Sequence, residues 1–248
     1  MVDLHSHIIY GIDDGAKKFE DSVELAKQAI KLGFRKIIAT PHYNDFISDD
    51  FFEYRDKHCA ELNTYFKTHD MPLEIECGVE VSFASDWDKV LSEKKCFIRN
   101  KYILIEFSDL NIPNYYLDVM LKIKKQGLIP IIAHPERCQP IQKSKTIITE
   151  LARMGAHFQC DAGSLVGHFG DRTKKCAEEL IEMNVYQFFG SDAHDPKNRN
   201  YNVFPTIQPF DVYNDYLISD KTIPEVQLLD RRDYSFLGKI KRLMSSHL

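Results

Sequence analysis

The run Val2-Asp3-Leu4-His5-Ser6-His7 sets two imidazoles two residues apart, directly after a short apolar stretch. If that stretch is a β-strand, His5 and His7 share one face, because strand side chains alternate with period two. Two imidazoles at a strand end can clamp a metal ion. Similar residues recur down the chain, each after an apolar run: Asp13 and Asp14, Thr40-Pro41-His42, Glu80, Glu106, His134-Pro135-Glu136-Arg137, Asp161, and Ser191-Asp192-Ala193-His194. Any one alone reads more simply as a hydrogen-bonded strand-end residue. Together they would leave many buried polar groups without partners, each costing about 1–3 kcal/mol. A shared set of cations removes that cost. The mixture of nitrogen and oxygen donors suits manganese, iron or zinc better than calcium. The chemistry implied is that of a multinuclear metalloenzyme.

The elements that must position these residues follow from hydrophobic periodicity. Residues 2–4, 36–40, 73–81, 102–107, 128–133, 156–160 and 186–190 are short apolar runs rich in β-branched residues. Between them, 21–32, 51–66, 86–91, 114–126, 145–154 and 172–183 carry apolar residues at helical spacing. Seven strands alternating with helices require parallel pairing through right-handed crossovers. Seven such units suit a closed or nearly closed barrel better than an open sheet. In a β/α barrel, chemistry collects at the C-terminal ends of the strands, where the histidines and carboxylates lie.

Composition narrows the function further. The chain has 248 residues, 44% of them apolar and 28% charged, as expected of one large catalytic unit over residues 1–230. A net charge of −5 speaks against a nucleic-acid partner. No apolar run reaches the ~18 residues of a membrane span, and no signal-peptide core opens the chain. The six cysteines are scattered and read as reduced thiols of a cytoplasmic protein. None has the Cys-x5-Arg spacing of thiol-based phosphatases, so Cys138 beside Arg137 is not read as a nucleophile. His58, His69, His157, His168 and His247 match no ligand pattern and are read as structural or solvated. Trp87 is read as the anchor of a short helix, and Tyr115 and Tyr116 as packing or rim residues. Residues 231–248 carry five basic residues against Asp233 alone. Phe236, Ile240, Leu243 and Met244 recur there at helical spacing, so the tail is expected to be a short basic amphipathic helix. Such a helix could touch an anionic membrane surface weakly or dock on an acidic protein.

The order His-x-His, Pro-His, Glu, Glu, His-Pro-Glu-Arg, Ser-Asp-x-His resembles the polymerase-and-histidinol-phosphatase (PHP) superfamily. Three longer strings narrow the resemblance: Gly11-Ile12-Asp13-Asp14-Gly15-Ala16, Ile132-Ala133-His134-Pro135-Glu136-Arg137 and Ala162-Gly163-Ser164-Leu165. They are similar to the bacterial PHP-type tyrosine phosphatases encoded with capsule and exopolysaccharide genes. The match runs from Met1 to about Arg199. It implies a distorted seven-stranded (β/α)7 TIM-like barrel, the PHP fold, holding three divalent metal ions, usually Mn2+ with Fe or Zn as alternatives. By motif, the first ion would take His5, His7, Glu80 and Asp192. The second would share Glu80 and add Glu106 and His134. The third would take Asp14, His42 and His194. Arg137 and Arg199 would hold the substrate phosphate, where a planar guanidinium gives bidentate charge-assisted bonds.

The resemblance implies direct hydrolysis of phosphotyrosine on a protein by a water activated between the cations, with no phosphoenzyme. The expected substrate is a membrane-associated tyrosine autokinase of polysaccharide synthesis. The location is then cytoplasmic, peripheral at the inner membrane face. Three alternatives stand beside it: a small-molecule phosphatase acting on histidinol phosphate, a DNA-processing nuclease module, and a non-catalytic metal-stabilised scaffold. Asp14 in place of a histidine favours phosphotyrosine over histidinol phosphate. After Arg199 the pattern fades. Residues 200–221, with Pro205 and Pro209, are read as irregular structure covering one side of the site.

Overall fold

The seven expected runs become nine parallel strands, because 73–81 is broken in two and a further short strand follows 36–40. A computed structural model describes residues 1–206 and Asn214. The strands are β1 (Val2–Ser6), β2 (Lys36–Ala39), β3 (His42–Tyr43), β4 (Glu74–Cys77), β5 (Glu80–Ser82), β6 (Tyr102–Glu106), β7 (Ile129–Ala133), β8 (His157–Asp161) and β9 (Phe188–Gly190). They form a mixed α/β fold with two parallel sheets, ordered β1-β2-β4 and β3-β5-β6-β7-β8-β9. The basic segment 231–248, the boundary after residue 230 and most of 200–221 lie outside the described residues. Within 200–221, Tyr201–Thr206 is a 3-10 turn. Among the described residues, no helix is long and apolar enough to cross a membrane.

Both breaks serve the site. The second run stops at Thr40-Pro41, where proline has no N–H to give to a ladder. The third stops at Gly78-Val79. A Cβ at Gly78 would lie 3.0 Å from Ile98 and 3.1 Å from Ile38, so the crossing chains tolerate little there beyond glycine. Bonding nevertheless continues across the gap: Gly78 N donates to Ala39 O at 2.8 Å, and Glu80 N to Pro41 O at 3.1 Å. The strands resume with His42 directly opposite Glu80.

β9 meets β1 through a network of polar groups. Asp192 N donates to His5 O and His7 N to Ala193 O, both at 2.9 Å. The buried Asp3 carboxylate accepts from Ser191 N at 3.0 Å, Ser191 Oγ at 2.6 Å and the Tyr201 hydroxyl at 2.7 Å. The Asn214 side chain donates to Val2 O and accepts from Phe189 N, joining the lower ends of the same two strands.

The helices are α1 (Phe19–Lys31), α2 (Phe51–Thr68), α3 (Trp87–Ser92), α4 (Tyr116–Lys125), α5 (Gln139–Lys143), α6 (Thr146–Arg153), α7 (Ala162–Leu165) and α8 (Asp171–Glu182). Six match the periodic segments. α5 and α7 span little more than a turn, too short for an apolar stripe to register. Leu25, Ala26 and Ala29 of α1 and Phe66 of α2 pack on Ile37 and Ile75. α4, α6 and α8 cover the larger sheet through Met120, Ile123, Leu151 and Leu180. On the other side of the strands, Leu4 and Ile38 from the smaller sheet share one apolar cluster with Leu104, Ile131 and Phe188 from the larger. Trp87 is buried and donates its indole N–H to Phe83 O.

His157, at the start of β8, is buried edge-on against Phe188. Burial pulls its pKa from the ordinary 6.5 down to about 4. The unfolded chain therefore takes up this proton at higher pH than the folded one. The neutral ring contributes its stability above pH ~6.5, and that stability is lost as pH falls toward 4. Urea unfolding at pH 7.5 and pH 5 should show the wild type losing about 2 kcal/mol more than His157→Gln. Parallel losses in the two proteins would contradict a neutral buried ring.

Candidate metal centre

All nine residues marked by the sequence as ligands converge on one site, with His42 and Glu80 opening β3 and β5 just beyond the ends of β2 and β4. β1 delivers His5 and, just beyond its end, His7. β3 delivers His42, β5 Glu80 and β6 Glu106. His134 follows β7, Asp192 and His194 follow β9, and Asp14 lies on the loop after β1. Two of these ends turn sharply: His134 and Asp192 have φ of +30° and +48°, in the left-handed region that L-residues rarely occupy.

Glu80 and Asp192 are the hubs, both fully sequestered from solvent. Glu80 Oε1 is 2.9 Å from His134 Nε2. Its Oε2 is 3.3 Å from both His5 Nε2 and His7 Nε2, and 3.1 Å from His42 Nδ1. Asp192 Oδ1 lies 3.5 Å from His5 Nε2, 3.3 Å from His7 Nε2 and 3.5 Å from His194 Nδ1. Asp14 Oδ1 is 3.4 Å from the Nε2 atoms of both His42 and His194. Within the group, four subsets have donor atoms all within 4.8 Å of one another. They are His7-Asp14-His42-His194, His5-His134-Asp192, His5-His7-Glu80 and His42-Glu80-Glu106. These overlap the three motif-based sets without coinciding with them. His42 faces Asp14 through Nε2 and the Glu80–Glu106 pair through Nδ1, so it stands between two subsets.

A second layer holds the rings. Gln159 Oε1 accepts from His5 Nδ1 at 2.9 Å, while Gln159 Nε2 donates to Cys160 O, which fixes the amide orientation. Asp13 Oδ2 lies 2.7 Å from His7 Nδ1 and accepts from His42 N. Asp192 O lies 2.8 Å from His194 Nδ1. Each bond occupies Nδ1 and leaves Nε2 facing the carboxylates, the arrangement in which an imidazole binds metal. Glycine permits the approach of the strands here. A Cβ on Gly190 would lie 2.6 Å from His5 Cβ and 2.7 Å from Gln159 Nε2.

The donor set fits divalent cations on two observations. Glu80 Oε2 and His194 Nε2 are buried with no hydrogen-bond partner among the described residues, a cost that coordination would relieve. The charge is also unbalanced. Burial raises the Glu80 and Asp192 carboxyls, but the imidazoles, His5 foremost, reverse this and hold both well below the carboxylate range. Glu106 is left over: burial, then the charge on Glu80, push it up to about 7.

Arg137 and Arg199 lie beside this cluster. Arg137 Nη1 donates to Asp192 Oδ2 at 2.8 Å, and Arg199 Nη2 donates to the same oxygen. Asp192 thus turns one oxygen to the histidines and the other to the arginines. Asp161 Oδ2 is 3.8 Å from Arg137 Nη1. Burial, then the charge on Asp192, raise the Asp161 carboxyl well above its usual range. Glu136 is not a ligand: it accepts from Asp161 N and the Tyr186 hydroxyl and so anchors the end of β8. Of the histidines read as structural, His58 bonds Tyr54 O and His69 bonds Tyr65 O, each one turn back along α2. Asp13 and Asp161 stand out in the sequence as strand-end carboxylates without an assigned role, whereas Gln159 carries no mark as a site residue. The period-two alternation of His157, Gln159 and Asp161 along β8 was the available signal.

Residues 1–210 match the family described as capsular polysaccharide synthesis, CpsB/CapC. The chain is 36% identical over 203 residues to the tyrosine-protein phosphatase YwqE of Bacillus subtilis, covering 81% of this chain and 80% of YwqE. It is 28% identical over 206 residues to the tyrosine-protein phosphatase CpsB of Streptococcus pneumoniae, covering 80% and 85%. Among solved structures, it superposes with a TM-score of 0.81 at 32% identity on one from the work on YwqE and CpsB, metal-dependent tyrosine phosphatases. That match covers 93% of this chain and all of the other. Histidinol phosphate phosphatase from Lactococcus lactis shares the fold, with a TM-score of 0.56 at 13% identity and coverage of 93% and 98%. The chain belongs to the capsular polysaccharide synthesis CpsB/CapC family.

Proposed function

We propose that this protein is a metal-dependent tyrosine phosphatase that hydrolyses phosphotyrosine on a protein of polysaccharide synthesis. The carrying observation is the convergence of nine nitrogen and oxygen donors beside two arginines that share the far oxygen of one of those donors, Asp192. Family membership supports the same reading. The family resemblance points to a membrane-associated tyrosine autokinase as the phosphoprotein and to a cytoplasmic site of action. For the architecture, we propose a distorted seven-stranded barrel of the PHP type. β2 with β3 and β4 with β5 then act as single bent strands, and the β9–β1 bonds close the ring.

His5, His7, Asp14, His42, Glu80, Glu106, His134, Asp192 and His194 would hold three divalent cations, with Mn2+ as first expectation and Fe or Zn as alternatives. Bound there, the cations would supply Lewis acidity that makes water nucleophilic near neutral pH. The chain's own residues do the rest. Gln159 and Asp13 hold His5 and His7 in one tautomer. Arg137 and Arg199 present N–H groups to the phosphoryl oxygens and oppose the negative charge that grows there. Asp192 anchors both guanidinium groups at the edge of the metal site. The leaving phenolate has an ordinary pKa of about 10, so departure does not depend on a strong general acid. Thiol chemistry is disfavoured: burial pushes the Cys138 thiol up to about 12, and its Sγ donates to Ser108 O.

Two measurements test this. Chelation should abolish turnover of a phosphotyrosine peptide and lower the melting temperature, and Mn2+ should restore both. Glu80→Gln, which belongs to two donor subsets, should lose more than a single ion per chain and roughly 100-fold or more in rate. Undiminished turnover in a metal-stripped sample would end the metal reading, while faster turnover of histidinol phosphate would end the phosphotyrosine reading. Arg137→Ala should retain metal and lose roughly 30- to 1000-fold in kcat/KM, as for a charged contact in a water-poor site. Arg199→Ala should fall in the same direction. Two wild-type values of kcat/KM would move phosphate binding elsewhere.

A further inference from the structure

Arg137 and Arg199 come from different parts of the chain, yet both lie against one aromatic ring. The Phe169 ring centroid is 4.7 Å from Arg137 Cζ and 5.5 Å from Arg199 Cζ. Neither arginine adjoins Phe169 in sequence. Arg137 ends the 3-10 turn after β7, and Arg199 lies on the loop after His194. Phe169 is presented by a tight loop after α7, with φ of +85° at Gly167 and +86° at Gly170. Backbone bonds from Gly167 to Ser164 and from His168 to Gly163 pin that loop to α7. The ring is seated on Gly163: its Cε2 would be 3.2 Å from a Cβ placed there. Phe169 is half-buried, and among the described residues its aromatic ring neighbour is His168, which is not one of the nine donors.

Two guanidinium groups drawn to one carboxylate oxygen repel each other. Asp192 Oδ2 offsets that repulsion, but it competes with phosphate for the same N–H donors. A ring face attracts a guanidinium through its quadrupole and occupies the flat face of the cation, leaving the in-plane N–H groups for other partners. Arg137 Nε and Arg199 Nε are both buried without a hydrogen bond among the described residues, although Asp109 Oδ1 lies 3.7 Å from Arg137 Nε. The ring thus holds the two cations together while unspent donors remain.

We infer that Phe169 is the positioning residue that holds Arg137 and Arg199 as one phosphate-gripping pair. This rests on the reading of those arginines as phosphate ligands. Phe169 acts through them, so its replacement should weaken the enzyme's grip on the phosphoryl group and leave the metal site alone.

The test uses the Mn2+-loaded full-length enzyme. F169L keeps apolar bulk and removes the π face; F169W restores a π face. Incorporating pentafluorophenylalanine at position 169 keeps the ring's shape and inverts its quadrupole, which covers the case in which F169L does not fold. F169L and the fluorinated protein should lose roughly 5- to 30-fold in kcat/KM for a phosphotyrosine peptide. Inhibition by inorganic phosphate should weaken by a similar factor. Metal content and melting temperature should stay at wild-type values, and F169W should recover most of the loss. In an R137A background, F169L should cost less than it does alone. If R137A is impaired while the fluorinated protein matches wild type in both kcat/KM and phosphate inhibition, the positioning role is overturned and the arginine reading stands. If R137A and R199A both match wild type, the arginine reading fails, and the role of Phe169 fails with it.

Discussion

Two carboxylates, Glu80 and Asp192, are buried completely where the strands end, and the architecture around them answers the charge they carry. A buried carboxylate without compensation costs several kcal/mol. Five histidines crowd the two, and their imidazoles hold both carboxyls ionised. The compensation is incomplete, because Glu106 shares the space and is driven toward protonation by burial and then by the charge on Glu80. Cations complete the balance, and metal loading is therefore coupled to the stability of this end of the molecule. A variant that loses a carboxylate changes both at once. For this reason metal content and melting temperature carry information here that activity alone does not.

The irregularities of the sheets follow from the same constraint. A regular strand would carry the chain past the site with alternate residues facing away. Pro41 and Gly78 each interrupt a strand, and pairing resumes with His42 opposite Glu80. At the β9–β1 junction, Gly190 lets His5 and Gln159 approach a backbone that no side chain could accommodate. His134 and Asp192 take left-handed backbone immediately beyond their strands. Strain of this kind persists only where surrounding structure over-determines it. Here the Asp3–Ser191–Tyr201 bonds and the Asn214 bridge supply that rigidity.

The parts legible in the sequence were those with a local signature. The apolar runs and the helical stripes of α1, α2 and α8 declare themselves within a dozen residues, so the alternation of strand and helix was accessible. The candidate ligands stood out because imidazoles and carboxylates clustered directly after those runs. The layer behind them was not legible, because its partnerships are non-local. Gln159 holds His5 across 154 residues of sequence, and nothing near Gln159 marks it as more than a strand residue. Asp161 was visible at a strand end, but its raised carboxyl depends on Asp192 and on burial, neither of which is local. The break at Gly78 lies inside a run that otherwise reads as continuous strand, and β3 lies beyond Thr40, where the second run ends.

The arrangement separates two kinds of work in space. Asp192 turns one oxygen to the imidazoles and the other to the guanidinium groups, so the metal site and the arginines share a single carboxylate as their boundary. On the inner side, charge is balanced by ions that the chain must acquire. On the outer side it is balanced by Asp192 Oδ2, by Asp109 beside Arg137 and by the face of Phe169, all of which the chain supplies. The outer balance leaves both guanidinium Nε atoms without a hydrogen bond among the described residues, with Asp109 Oδ1 3.7 Å from Arg137 Nε. On the proposed reading, an incoming phosphoryl group has three oxygens to offer the guanidinium N–H groups. If the arginines grip phosphate as proposed, recognition uses donors that the resident groups leave unsatisfied, with Asp192 Oδ2 and the Phe169 ring both in contact with the two guanidinium groups.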